Sequence, residues 1–301
     1  MGDVTSADLP LLSAADIRRL ADLLDLRPTK TLGQNYVIDP NTIRRIVDAA
    51  HLKSTEHVLE IGPGLGSLTL GLMDAAQAVT AIEIDPPVAA RLATTIESYR
   101  PGSSARLTVI EADAMRLSGH DIASAAPEAA DGPPSAIVAN LPYNVAVPVM
   151  LHLLAELPSI EHGLVMVQQE VAERLTAQPG NKIYGVPSVK MAWYAEATYA
   201  GTIGTKVFWP APRITSGLVH FTARKPPQTT VSRQQVFEVI DAAFAQRRKT
   251  LRAALSQWAG TAVDAEEILI AANVDPKARG EVLGIEQFTR IAEQKYHRDT
   301  P

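Results

Sequence analysis

The sequence predicts an α/β protein in two parts. A large domain has a mostly parallel sheet covered by helices on both faces, and a small all-helical domain follows it. Three observations predict this. Between about residues 31 and 225, short apolar runs alternate with amphipathic stretches of helical period. The apolar runs are nearly continuous rather than alternating, the pattern of strands buried on both faces. Beyond residue 230 the strand signal stops and only helical pattern remains.

The elements follow in order. The stretch 13–25 is helix-like and forms an N-terminal extension. Strands are predicted at "HVLEIG" (57–62), "AVTAIEID" (78–85), "RLTVIEAD" (106–113), "SAIVAN" (135–140), "HGLVMVQ" (162–168) and "SGLVHFTAR" (216–224). Each is rich in Val, Ile or Leu, and most end in Gly, Asp or Asn. Between the first five strands, or just before them, lie helical stretches at 39–50, 66–76, 86–99 and 147–157. "SGHDIASAAPEAADGPPSA" (118–136) is rich in Ala, Pro and Gly and reads as a mobile surface loop. "KPPQTT" (225–230) is a linker. Residues 231–258 and 264–274 are helical. The division is therefore 1–225 for the α/β domain and 226–301 for the helical one.

Composition narrows the setting. The 301 residues include no Cys, which excludes disulfides and Cys-based zinc sites and fits a reducing, cytoplasmic home. The acidic N-terminal stretch lacks the basic start and apolar core of a signal peptide, and no apolar run is long enough to span a bilayer. Gly2 and Ser6 fit the myristoylation pattern, which is short enough to arise by chance. The net charge of −5 argues against a nucleic-acid partner unless a local basic patch offsets it.

The chemistry concentrates at strand ends. The first strand runs into Gly62-Pro63-Gly64-Leu65-Gly66. Glycines between a strand and a helix let the backbone approach a ligand. A dinucleotide fingerprint would place its third Gly where Ser67 stands, which disfavours a pyrophosphate cofactor. Glu83 lies 21 residues after Gly62, at the tip of the second strand, where a carboxylate can hold a ribose diol. Asp85 shares its strand phase and is a rival. Asp113, after the third strand, could accept from an exocyclic adenine amine. Each alone has an ordinary reading as a tight turn or a solvated acid. Together they outline a nucleoside at the carboxyl edge of the sheet.

The fourth strand ends in Asn140-Leu141-Pro142-Tyr143. The adenine N6 amine is a poor nucleophile because its lone pair is delocalised into the ring. Two acceptors on its hydrogens would favour a localised pair. The Asn140 amide oxygen and the Leu141 carbonyl are of the right type. Pro142 fixes the turn and brings no competing N–H. Tyr143 offers a face for stacking a flipped base. The plainer reading is an X-Pro turn with a packing Tyr.

These motifs, with "LGQNYVID", "ADAM", "VFWPAPRITSGLVHF" and "AQRRKTLRAAL", resemble those of the bacterial small-subunit rRNA adenine N6-dimethyltransferases over residues 28 to 290. The resemblance implies a Rossmann-like fold of the S-adenosyl-L-methionine (AdoMet)-dependent methyltransferases. Its sheet is mostly parallel and seven-stranded, with a late antiparallel strand. It implies dimethylation of two adjacent adenines near the 3′ end of 16S rRNA, during biogenesis of the small ribosomal subunit. It also implies that Asn35, Val37, Gly62, Glu83, Asp113 and Asn140 hold AdoMet, and that Phe208 closes over the target adenine opposite Tyr143. From the residues alone, Phe208 and Trp209 read equally well as packing residues. The sequence departs from the family at Thr215, where an acid is usual, although Arg213 keeps the charge two residues before it. Val37 replaces the more usual Leu, and the loop before Asn140 is long.

For RNA, Arg247, Arg248, Lys249 and Arg252 cluster without interleaved acids. On one helix Arg248 and Arg252 would share a face, suited to tracking phosphates. Lys206, Arg213, Arg224 and Lys225 flank the proposed target loop. The expected partner is 16S rRNA in the small subunit, with the chain a monomer and neither metal nor membrane involved. Other readings remain. One is a large-subunit rRNA adenine methyltransferase. A second is a glutamine or cytosine N4 methyltransferase, and a third is an assembly factor whose binding matters more than its catalysis.

Overall fold

The computed structural model describes residues 10–26 and 35–298. Gly2, Ser6 and residues 32–34 of "LGQNYVID" lie outside the described residues. In chain order the elements begin α1 (Ala14–Leu23), β1 (Tyr36–Val37), α2 (Pro40–Ala50), β2 (His57–Ile61), α3 (Ser67–Ala75), β3 (Ala78–Glu83) and α4 (Pro86–Tyr99). They continue β4 (Leu107–Glu111), α5 (Gly119–Ser124), β5 (Ala136–Asn140), α6 (Ala146–Glu156), β6 (His162–Gln168), α7 (Gln169–Thr176), α8 (Val186–Tyr194), β7 (Ala195–Ile203), β8 (Phe208–Trp209) and β9 (Ser216–Ala223). Five helices end the chain: α9 (Arg233–Ala245), α10 (Leu251–Ala254), α11 (Ser256–Ala259), α12 (Ala262–Ala271) and α13 (Ile285–Arg298).

Seven strands form one sheet in the order β4-β3-β2-β5-β6-β9-β7. The pairs from β4 through β6 are parallel, and β9 runs antiparallel to β6. Every residue of β2 and β3 is buried, which explains their unbroken apolar runs. The chain winds outward from β2 to β4, then returns to β5 on the other side of β2. That reversal opens a crevice at the carboxyl ends of β2 and β5. A separate antiparallel pair joins β1 to β8.

Local signals start the helices. Asp39 caps α2 by accepting from Thr42 N at 3.0 Å, with Pro40 in the first turn. Ser13 and Asp16 form a capping box on α1. The apolar stripe Ile17, Leu20 and Ala21 is buried in the same core as β2, β3 and α3. Burial of the two large side chains is worth about 1.5–3 kcal/mol each. Arg100 reinforces this end. It holds Asp74 through two bonds of 2.6 and 2.7 Å and donates to Pro10 O at 3.0 Å.

Two stretches differ from the sequence pattern. The supposed loop 118–136 contains α5, closed by a capping box of Ser118 and Asp121, with Ile122 fully buried. A side chain at Gly119 would stand 2.0 Å from Glu156 O, so this glycine lets α5 approach α6. The strand β7 gave no apolar run because it is an edge strand whose residues are mostly exposed or half-exposed.

The chain divides into two compact units. One runs to Ala172 and takes in Thr198–Ala223; the other comprises Glu173–Ala197 and the chain from Arg224 onward. The sequence pattern places 173–197 in the larger domain; in the structure it clusters with the helices. Tyr184 donates its hydroxyl to Leu283 O at 2.8 Å, Lys190 pairs with Asp241 at 2.8 Å, and Arg224 N donates to Tyr194 O at 2.7 Å.

Candidate active site

The crevice begins where β2 ends. Gly62, Gly64 and Gly66 all have positive φ, at 68°, 55° and 95°. A Cβ on Gly64 would meet the Tyr36 ring at 2.8 Å, and one on Gly62 would lie 3.8 Å from Asn140 O and 3.9 Å from Pro142 Cδ. The glycine loop therefore runs beside the Asn140–Tyr143 turn. Glu83 binds the loop from the β3 side, accepting from Gly64 N at 3.1 Å and from Asp85 N at 3.0 Å. Burial raises its carboxyl pKa, and the two backbone N–H groups oppose that rise. Glu83 lines the cavity and Asp85 does not. Asp113 also lines it, with one oxygen accepting from Met115 N at 3.0 Å.

Asn140 ends β5. Its Nδ2 donates to Asn35 O at 3.1 Å, which turns Oδ1 to the other side as an acceptor. Leu141 N donates to Met166 O at 3.0 Å, and Val145 N to Pro142 O at 3.2 Å, so both ends of the turn are tied. Tyr143 shares a hydrogen bond of 2.6 Å between its hydroxyl and that of Ser216. Asn35, Val37, Gly62, Glu83, Asp113, Asn140, Leu141, Pro142 and Tyr143 all line this one cavity. Phe208 stands apart. It is 3% exposed, opposite Val37 across the β1–β8 pair, and packs as a core residue rather than a cavity wall.

Sequence reasoning missed Tyr36, Glu60 and Ser67. All three line the cavity, and each has a buried oxygen without a hydrogen-bond partner: Tyr36 Oη, Glu60 Oε2 and Ser67 Oγ. An acid inside an otherwise apolar strand was the available signal for Glu60. Burial pushes its pKa from 4.5 up to about 8, and the Glu83 charge adds to this. Between those two values the folded protein holds a proton that the unfolded chain releases. The contribution of Glu60 to stability without ligand is therefore full below its unfolded pKa and is lost as pH rises toward the folded value, by up to about 1.4 kcal/mol per pH unit. Glu60→Gln is expected to flatten that slope in urea titrations at a series of pH values.

The basic cluster is not one helix. The chain leaves α9 at Gln246 (φ −124°, ψ 58°), passes through a turn holding Arg247, Arg248 and Lys249, and re-enters a helix after Thr250. Leu251 N and Arg252 N donate to Ala278 O and Pro276 O, so the break is bonded in place. Arg248 and Arg252 thus do not share a helix face. Arg247 pairs with Glu281 at 3.3 Å and donates to Lys182 O, while Arg252 pairs with Glu266 at 2.7 Å. Arg248 and Lys249 are exposed, with no ion pair among the described residues. Lys206 and Arg213 are exposed on the α/β unit. Thr215 donates to Gln169 Oε1, and Gln169 N donates back to Thr215 O at 3.0 Å.

Comparison with known proteins adds to this geometry. Residues 26–295 match the family model described as "Ribosomal RNA adenine dimethylase". The chain is 60% identical to "Ribosomal RNA small subunit methyltransferase A" of Paenarthrobacter aurescens (strain TC1), covering 98% of this chain and 97% of the relative. Among solved structures, a dimethyladenosine transferase from Plasmodium falciparum superposes with a TM-score of 0.68 at 22% identity, covering 84% of this chain and 94% of that one. The 23S rRNA methyltransferase ErmE does so with a TM-score of 0.62 at 25% identity, covering 87% of this chain and all of that one.

Proposed function

The chain belongs to the ribosomal RNA adenine dimethylase family, and on that basis we propose that it N6-dimethylates two adjacent adenosines near the 3′ end of 16S rRNA. The enzyme is an AdoMet-dependent methyltransferase. The observation that carries the reading is Asn140, held by Asn35 O with its amide oxygen free to accept, in the same cavity as the glycine loop and Glu83.

The cavity fits AdoMet. It offers a cradle that a Cβ at Gly64 would obstruct, a strand-end carboxylate for a ribose, and three buried oxygens awaiting partners. Gly62, Glu83 and Asp113 would hold the cofactor, with Asn35 and Val37 closing it from the N-terminal side. Bound there, AdoMet supplies an activated methyl group on a sulfonium.

The protein's part is positioning. Asn140 Oδ1 accepts one N6 hydrogen and the Leu141 carbonyl the other, drawing the nitrogen toward a nucleophilic geometry. Tyr143 stacks the base. The alkylated amine is acidic and loses its proton without a dedicated base. The P. aurescens relative favours the small subunit as substrate, because its identity of 60% far exceeds the 25% to ErmE. A cytoplasmic, monomeric enzyme acting during subunit biogenesis fits this reading.

Digesting treated rRNA to nucleosides tests it: N6,N6-dimethyladenosine must appear, and methylation of any other base would refute it. Of the four clustered cations, Arg248 and Lys249 are exposed and outside any ion pair among the described residues, which leaves them available to RNA phosphates. Replacing both by alanine is expected to weaken RNA binding and to lower its log–log salt slope by about 1.4–1.8, measured by salt titration. Arg247→Ala is instead expected to disturb the fold, because Arg247 is already committed to Glu281 and Lys182.

A further inference from the structure

We propose that Ser216 is a positioning residue that governs the second methyl transfer, acting through the ring of Tyr143. The proposal rests on the reading that Tyr143 forms one wall of the target-base site.

Tyr143 sits in a turn between β5 and α6, outside any regular element. Among the described residues, its ring hydroxyl is held by the 2.6 Å hydrogen bond with Ser216. Ser216 has the opposite character. It is the first residue of β9, 0% exposed, and paired with Gln168 of β6. Its neighbour Thr215 is clasped to Gln169 through both backbone and side chain. The tip of a loop-borne ring is therefore anchored to the sheet. A phenolic O–H lies in the plane of its ring, so a hydrogen bond there restrains the ring's tilt as well as its direction.

That restraint matters unequally for the two transfers. Unmodified adenine presents two N–H groups, and two acceptors in the turn can orient them. After one methylation a single N–H remains, one grip is lost, and the amine is bulkier. The orientation of the base then depends more on its stacking wall. Loosening the wall should slow the second transfer more than the first.

The test is single-turnover methylation of unmodified small subunits by wild type, Ser216→Ala, Tyr143→Phe and the double variant. Mass spectrometry separates N6-methyl- from N6,N6-dimethyladenosine. Thermal melting and AdoMet titration check each variant's fold and cofactor site. Each single variant is expected to slow the second transfer about tenfold, and the first by less than about threefold, so that the monomethyl product accumulates. The double variant should be no worse than either single one, because both remove the same bond. An unchanged product ratio, equal slowing of both steps, or multiplied effects in the double variant would overturn the proposal. Should Ser216→Ala fail to fold, Tyr143→Phe alone decides by the same ratio. Absence of any methylated adenosine from wild type would instead overturn the reading of the site.

Discussion

Asn140→Ala is expected to lower methyl transfer by about 10²–10³ or more while AdoMet still binds and the protein still melts cooperatively. The side chain stands at the end of β5, and among the described residues its hydrogen bond is the one from Nδ2 to Asn35 O. Losing that bond costs about 1 kcal/mol of stability, far less than the loss in rate. Asn140→Asp should be no better than alanine, because a carboxylate cannot donate to Asn35 O and would repel it. Transfer rates with saturating AdoMet, beside a calorimetric titration of the cofactor, check both points. Near wild-type transfer in the alanine variant would remove the role given to Asn140.

Glu83→Ala should have the second-largest effect, on the cofactor rather than the chemistry. The carboxylate holds Gly64 N and Asp85 N and lines the cavity where a ribose would lie. Its removal takes away a charged acceptor and loosens the glycine loop together. A rise of at least about tenfold in the AdoMet Kd is expected, more than 1.4 kcal/mol, with the rate at saturating AdoMet changed far less. Glu83→Gln keeps one acceptor and should lose less. Isothermal titration measures both; an unchanged Kd would return the ribose role to Asp85.

Much of this was legible in the sequence, and the reasons are physical. β2, β3, β5 and β6 announce themselves because strands buried on both faces must be continuously apolar, while β4, at the sheet edge, keeps an apolar run though half-buried. The cavity was legible because its residues stand at strand ends, where Gly62, Glu83, Asp113 and Asn140 interrupt apolar runs. What stayed hidden depends on tertiary contact. β7 is an edge strand without an apolar face, and α5 exists because Ser118 caps it and Gly119 fits against Glu156. The break between Ala245 and Leu251 has its signal in Thr250, but the carbonyls that satisfy α10 come from Pro276 and Ala278. Glu60 was passed over because its burial comes from neighbours on other strands. Phe208 took a place over the target base only from the family resemblance, since its residue type fits packing equally; in the structure it is buried beside β1.

The central claim is that this cavity methylates adenine in the small-subunit rRNA. The most direct measurement offers labelled AdoMet in parallel to unmethylated small subunits, naked 16S rRNA and large subunits. The label is then mapped to nucleosides. The account predicts label in small subunits as N6,N6-dimethyladenosine at two adjacent positions near the 3′ end, with large subunits blank. Label in the large subunit, or on a nucleoside other than adenosine, would contradict it.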